Sequence, residues 1–323
     1  LVHYSLEEPM SLIQINKDLH HLVGLNDLHG QSPQVVFDWL KDKAKKSNLM
    51  KKSDRLCLLQ AENPSEAGAN FLCSDRPILG SSTKVQLGEG YGYMTKVMYA
   101  AAGNLSGFEA CPRRTEACTK GCLSIKSGHL AFHFVGQILK LWAFKYNKVA
   151  FNQKVIRELE TFAFTKRHDG YERALRMNGT TDLMFTEIWK AAQNLDIQCY
   201  EYTKIPRIVT KGDGVHRTFS ISEDITSLIQ GFEFVFEGET SSIIVPAKKK
   251  EYELATDWLT FYEIPWVDGD RHDLCFMDSG YLRVLKAKGL KNSEMIWDVD
   301  RLDWFTQTDE YRDGTYQEWI EQI

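Results

Sequence analysis

An α/β fold is predicted, with a parallel sheet closed or partly closed into a barrel and an N-terminal α+β extension. Three observations carry that prediction. Beyond residue 165, short strand-like runs alternate with amphipathic helical runs across short connections, the pattern of a parallel sheet. Polar residues and glycines collect where the strand-like runs end, as they do at the carboxyl ends of parallel strands. The chain is long enough, with 323 residues of which 43% are hydrophobic, to build one large core or two ordinary ones.

The expected organisation has three parts: 1–80 as extension or cap, 81–295 as α/β domain with a cysteine loop, and 296–323 as a C-terminal tail. Trp304, Phe305, Tyr311, Tyr316 and Trp319 would dock that tail on the core, or suit a partner surface. In the extension, Ser32 and Pro33 open a helix as hydroxyl cap and first-turn proline. Val35, Val36, Trp39 and Leu40 then recur at helical spacing, with Lys41, Lys43, Lys45 and Lys46 toward solvent. Gly88, Gly90 and Gly92 predict a glycine-rich hairpin, because a dinucleotide fingerprint needs wider glycine spacing.

From 129 to 166 two helices are expected. Val135, Ile138, Leu139 and Trp142 form the apolar face of one; Val155, Ile156, Leu159, Phe162 and Ala163 form that of the other. The run 174–179 ends a strand, and 181–196 reads as a helix with Met184, Ile188, Ala191, Ala192 and Leu195 inward. Strands are expected at 197–204 and 216–222, a short helix at 223–232 and another strand at 232–238.

Composition narrows the function. A net charge of −5 argues against a general nucleic-acid coat protein, which would carry a basic surplus. No run approaches the ~18 apolar residues of a membrane span, and no secretory h-region follows Leu1, so a cytoplasmic protein without membrane contact is expected. Seven cysteines are too few for a disulfide framework. Cys57, Cys73, Cys199 and Cys275 lie among apolar neighbours and read as small core residues.

Polar groups mark the strand ends. They are Arg176, Asn178, Thr180, Thr181 and Asp182; Tyr202, Thr203 and Lys204; Ser220, Ser222, Glu223 and Asp224; and Asp268, Asp270, His272 and Asp273. Lys286 and Lys288 end a later strand. Turn formation explains each cluster singly, with Thr181 or Asp182 capping the next helix. A parallel sheet would instead gather them at one end, with Asp182, Lys204, Asp270 and Lys288 as catalytic groups. Arg176, Asn178, Tyr202, Ser222, Asp268 and Asp273 would then bind substrate. Lys204 or Lys288 would hold an anionic group, and an Asp of the Asp268-Gly269-Asp270 turn would act as general base or ligate Mg²⁺ or Ca²⁺.

Cys111, Cys118 and Cys122 crowd onto a polar, glycine-bearing loop at C-x6-C-x3-C spacing. Zinc would need a fourth ligand, for which His129 or His133 is a candidate, and the paired C-x2-C knuckles of a zinc ribbon are absent. An iron–sulfur cluster on the three thiolates is the competing reading, and an unmetallated loop is the plain one. Arg113, Arg114, Lys120 and Lys126 on this loop are either solvated charge or contacts for a phosphorylated or nucleic-acid substrate. Three thiols ahead of a barrel also resemble radical S-adenosylmethionine enzymes, which would bring S-adenosylmethionine as cofactor. Their usual spacing, however, is C-x3-C-x2-C.

Taken in order, "CPRRTEACTKGC", "RALRMNGTTD", "CYEYTK", "WVDGDRHDLCF" and "LKAKG" resemble the gene product 88 family of phage proteins over roughly residues 100–290. The resemblance implies a phage or mobile-element origin and the polar positions as a set; it brings no reaction. No G-x-S-x-G, H-E-x-x-H or P-loop occurs. The sequence therefore predicts a metal- or iron–sulfur-dependent enzyme that modifies a nucleotide or nucleic acid. The alternative is a non-catalytic phage protein with a structural zinc that binds a host protein or DNA.

Overall fold

A computed structural model describes residues 28, 30–46, 50–120, 122, 133–166, 170–287 and 295–307. His129, Lys126, Lys288 and the tail aromatics Tyr311, Tyr316 and Trp319 lie outside them. The first helices are α1 (Pro33–Lys46), α2 (Lys52–Leu59), α3 (Pro64–Cys73) and the single turn α4 (Thr83–Gln86). Strand β1 (Tyr93–Val97) and helices α5 (Glu116–Lys120), α6 (Phe134–Tyr146) and α7 (Lys148–Phe164) follow. Next come β2 (Glu172–Arg176), α8 (Thr186–Gln193), β3 (Gln198–Thr203), β4 (Val215–Ser220), α9 (Ile225–Phe236) and β5 (Thr240–Val245). The last are α10 (Lys249–Phe261), β6 (Trp266–Asp268), β7 (Leu282–Lys286) and α11 (Val299–Phe305). No helix among the described residues is long and apolar enough to cross a membrane.

These elements form two compact units. The first comprises Leu1–Arg76, Ala100–Ala110 and Leu123–Phe151, and the regular elements among its described residues are helices. Its α3 starts as the sequence directs: Pro64 follows Asn63, whose side chain accepts from the Glu66 amide, while Glu66 accepts from the Glu62 amide. Val36, Phe37, Leu40 and Ala44 bury one face of α1, and Val35 is exposed. Gly68 of α3 lies so close to α6 that a β-carbon there would stand 2.7 Å from the Ala143 nitrogen.

The second unit, Pro77–Tyr99, Cys111–Cys122 and Asn152–Ile323, holds a seven-stranded sheet in the order β1-β2-β3-β4-β5-β7-β6. Every pairing is parallel. The sheet curls into a half-barrel with β1 and β6 as its edges, so the expected parallel, partly closed barrel is what forms.

Its two faces differ in chemistry. Outside, Phe219, Ile243, Val245, Leu282 and Val284 meet Phe232 and Val235 of α9, Leu259 of α10, and Leu302 and Phe305 of α11. Inside, the register aligns Arg176 with Val97, Tyr202 with Thr218, and Ser242 with Arg283. The connection 269–281 crosses this inner face, where Leu274 and Cys275 pack with Ala174 and Tyr200.

Three local expectations are corrected. Residues 87–91 form a 3₁₀ turn closed by Gly92 at a left-handed φ of 83°, and β1 then pairs in parallel with β2 instead of folding back as a hairpin. Residues 232–238 are not a strand: α9 runs to Phe236, since Leu228, Phe232 and Val235 recur at helical spacing against the sheet. The strand is Thr240–Val245, whose polar start hid it. Helix α8 starts at Thr186 on an uncapped Phe185, which leaves Met184 exposed and makes Trp189 its buried aromatic.

Gly68→Ala is expected to lower the melting temperature by about 2–8 °C, because overpacking costs ~1–3 kcal/mol. Gly90→Ala, where a β-carbon meets nothing within 4 Å, is the control and should be neutral in the same calorimetric scan.

Candidate functional site

Two groups of polar residues meet at the carboxyl end of the half-barrel. The first joins β2 to the crossing segment. Arg176, the last residue of β2, donates from Nη1 to both Asp273 oxygens at 2.9 and 2.8 Å, and the Tyr200 hydroxyl donates to Asp273 Oδ2 at 3.1 Å. The guanidinium lies 4.7 Å from the centre of the Tyr202 ring. Burial alone would raise the Asp273 carboxyl, but Arg176 and then Lys84 outweigh it and hold it below the usual carboxylate range.

Around the mouth the chain closes on itself. Asp270 Oδ2 accepts the Lys286 amide at 3.1 Å, Asp268 Oδ1 accepts the Asp270 amide at 2.9 Å, and Asp268 Oδ2 pairs with the Lys286 ammonium at 3.3 Å. Arg283 of β7 is fully buried, paired with Asp278 and donating to the carbonyls of Gly269 and His272. His272 stacks edge-on against Tyr91 at 4.4 Å, and burial lowers its pKa. The Tyr202 hydroxyl and Arg283 Nε have no partner among the described residues.

The second group lies over β3 and β4. Asp182 accepts the Thr203 hydroxyl at 2.9 Å and the Lys204 amide at 2.9 Å; it braces β3 rather than capping α8. Asn178 accepts from Thr181 and the Leu183 amide and donates to Glu201 and the Leu183 carbonyl. The Lys204 ammonium donates to the Ser220 and Ile221 carbonyls and to the Ser222 hydroxyl, at 3.1, 3.4 and 3.0 Å. Burial lowers the Lys204 pKa; Cys118, Glu223 and Asp182 oppose that from nearby.

The cysteine loop reaches this rim. Thr115 donates to Glu223 at 2.7 Å and accepts the Cys118 amide, and the Cys111 thiol contacts the Thr180 carbonyl at 3.7 Å. Arg113 is exposed, Arg114 donates to Thr119, and Lys120 pairs with Glu116 at the surface. His133, the other candidate ligand, belongs to the first unit and has its Nδ1 3.1 Å from the Lys51 ammonium. Among the described residues no three His, Cys, Asp or Glu side chains converge on one metal position. With His129 outside the described residues, Cys111 and Cys118 reach the rim, at the Thr180 carbonyl and near the Lys204 ammonium, without a ligand cage among the described residues.

The structure thus places Arg176, Asp268, Asp270 and Asp273 in one group and Asn178, Asp182, Lys204 and Ser222 in the other, with Tyr202 beside Arg176. Sequence reasoning missed Lys84, whose ammonium stands 3.8 Å from Asp270 and 3.9 Å from Asp273. It also missed Tyr200, Asp278 and Arg283. An arginine and a tyrosine inside predicted strands were the available signal, since both positions read as burial.

A family model described as Gene product 88 matches residues 72–299. No curated protein and no solved structure matches the chain.

Removing one partner of a buried ion pair costs about 3–5 kcal/mol, so Arg176→Ala is expected to lose that much in urea unfolding. The Asp273 contribution is present above the unfolded carboxyl value and is lost as pH falls through its depressed folded value. Asp273→Asn should therefore be destabilised at neutral pH, with the gap to the parent closing below about pH 4. On the outer face the sign reverses. Glu201, paired at 2.9 Å with Arg217, is pushed up to about 7 by burial, against the opposing effect of Arg217. Its folded form binds a proton more tightly than the unfolded chain, so this contribution to stability declines as pH rises from about 4.3 to the folded value. Glu201→Gln should flatten that slope.

Proposed function

This chain belongs to the gene product 88 family, and we propose that it is an enzyme acting on a nucleotide or nucleic acid at the carboxyl end of its half-barrel. On this reading the loop Cys111–Cys122 carries zinc or an iron–sulfur cluster. The observation that supports it most is convergence. Cys111 and Thr115 meet Thr180 and Glu223, 69 and 108 positions away in sequence, on the exits of β2 and β4. Reactive groups of parallel α/β folds collect at that end of the sheet.

Roles follow from which groups the chain already occupies. Asp182, Asn178 and Lys204 hold the strand exits in place and position what surrounds them. Asp270 at the mouth is the carboxylate for proton transfer, being partly exposed and set beside an ammonium. Arg113 and Lys120 on the loop supply exposed cations for phosphate. A metal or cluster on the thiols would supply Lewis-acid or redox chemistry beside them.

The test is anaerobic purification of the parent and of Cys111→Ala/Cys118→Ala/Cys122→Ala, with metal analysis and a visible spectrum. Iron with labile sulfide, or zinc, present in the parent and absent from the variant supports the reading. No metal in either overturns the metal part. Oligonucleotide binding should weaken with salt and fall about tenfold or more in Arg113→Ala/Lys120→Ala. Bound zinc with no nucleotide turnover, but with capture of DNA or a host protein, would favour a non-catalytic binder.

A further inference from the structure

We propose that Lys84, with Asp270, holds a hydroxyl group of the substrate's sugar at the mouth of the half-barrel. This inference rests on the nucleotide reading above and names the part of the nucleotide that the mouth would grip. Lys84 sits on the one-turn helix α4, anchored by buried Val85 and next to Ser82, whose hydroxyl accepts from Tyr99. Its side chain is 32% exposed.

The cation is unlike the other cations of the site. Lys204 spends its protons on three chain acceptors, Lys286 pairs with Asp268 at 3.3 Å, and Arg176 and Arg283 are paired and buried. The Lys84 ammonium makes no hydrogen bond among the described residues; its two carboxylates stand at 3.8 and 3.9 Å, beyond hydrogen-bond reach. Burial lowers its pKa, Asp273 and Asp270 oppose that, and Arg176 and Arg283 lower it further.

The gap selects the ligand. A phosphate or carboxylate on this ammonium would lie against two carboxylates and be repelled. A hydroxyl oxygen fits, because it accepts from Lys84 and donates to Asp270. Placed about 2.8 Å from each, it spans the separation with two ordinary hydrogen bonds. Asp273 is 1% exposed and engaged with Arg176 and Tyr200. Asp270, which also accepts the Lys286 amide, is 15% exposed, and a carboxylate has lone pairs for a further donor, so it is the more accessible acceptor. Sugar hydroxyls are the groups of a nucleotide that both donate and accept in this way.

Competitive acetylation of the intact chain, read lysine by lysine by mass spectrometry, tests the assignment. Ribonucleosides at about four times their Kd or above should slow acetylation of Lys84 about fivefold or more, since protection follows 1 + [L]/Kd. The matching 2′,3′-dideoxynucleosides and inorganic phosphate should leave its rate unchanged. Lys84→Met, which keeps the apolar stem, should lose about tenfold in ribonucleoside affinity with an unchanged far-ultraviolet spectrum. Protection by inorganic phosphate would make this an anion site and overturn the inference, as would no protection by any probe. Oligonucleotide binding through Arg113 and Lys120, persisting in either case, would show that the broader reading stands while this one falls.

Discussion

The buried pair of Arg176 and Asp273 is the constraint on which the second unit depends. A guanidinium at the end of β2 points into the half-barrel, and the connection 269–281 supplies its carboxylate. The same connection brings Asp278 and the Gly269 and His272 carbonyls to Arg283 across the sheet. Two buried guanidiniums on one inner face would otherwise stand uncompensated, at a cost of several kcal/mol each. This connection is therefore a strap that carries both the ion-pair partners of the inner face and the apolar residues, Leu274 and Cys275, that pack against Ala174 and Tyr200. The sheet curls around this strap without closing, and β1 and β6 remain its edges.

Opposite faces of one strand show how pairing sorts function from support. On β3, Tyr200 and Tyr202 turn inward to Asp273 and Arg176, while Glu201 turns outward to Arg217 and Asn178. Arg217 also reaches Asp213 at 2.7 Å, so the outer network has a partner for each of its charges. Such saturation fixes the register of β3 on β4 and leaves no polarity to spare for a ligand. On the inner side the Tyr202 hydroxyl and Arg283 Nε have no partner among the described residues, beside a mouth where the Lys84 side chain is partly exposed.

Much of this was legible in the sequence. Alternating amphipathic helices and β-rich runs are enough to specify a parallel sheet, and that sheet necessarily brings the residues at its strand ends together. Boundaries failed where two periods overlap. In "FEFVFEG" the alternation of Phe and Glu mimics a strand, yet Phe232 and Val235 also satisfy the helical period, and burial against Ile243 and Val245 decides for the helix. Thr240, Ser241 and Ser242 hid β5 because a strand covered on both faces need not alternate. Lys84 was not readable at all: its partners lie some 190 positions along the chain, and nothing local distinguishes it from a solvated lysine.

Charge arithmetic has the same limit, and the structure shows why. A chain of net charge −5 appears uncommitted about its ligand. Inside the half-barrel and at its mouth the charges fall in opposite pairs, Arg283 with Asp278, Arg176 with Asp273, Lys286 with Asp268 and Lys84 beside Asp270, so their sum is close to neutral. A site neutral in sum and dense in donors and acceptors recognises by hydrogen bonding rather than by attraction of charge. Exposed cations that could attract phosphate lie instead on the cysteine loop, at Arg113 and Lys120. On the proposed reading, one end of the sheet separates two tasks along its rim. The crossing segment would supply the neutral, directional contacts, and the loop that carries the thiols, with Arg113 and Lys120 exposed, would supply surface charge.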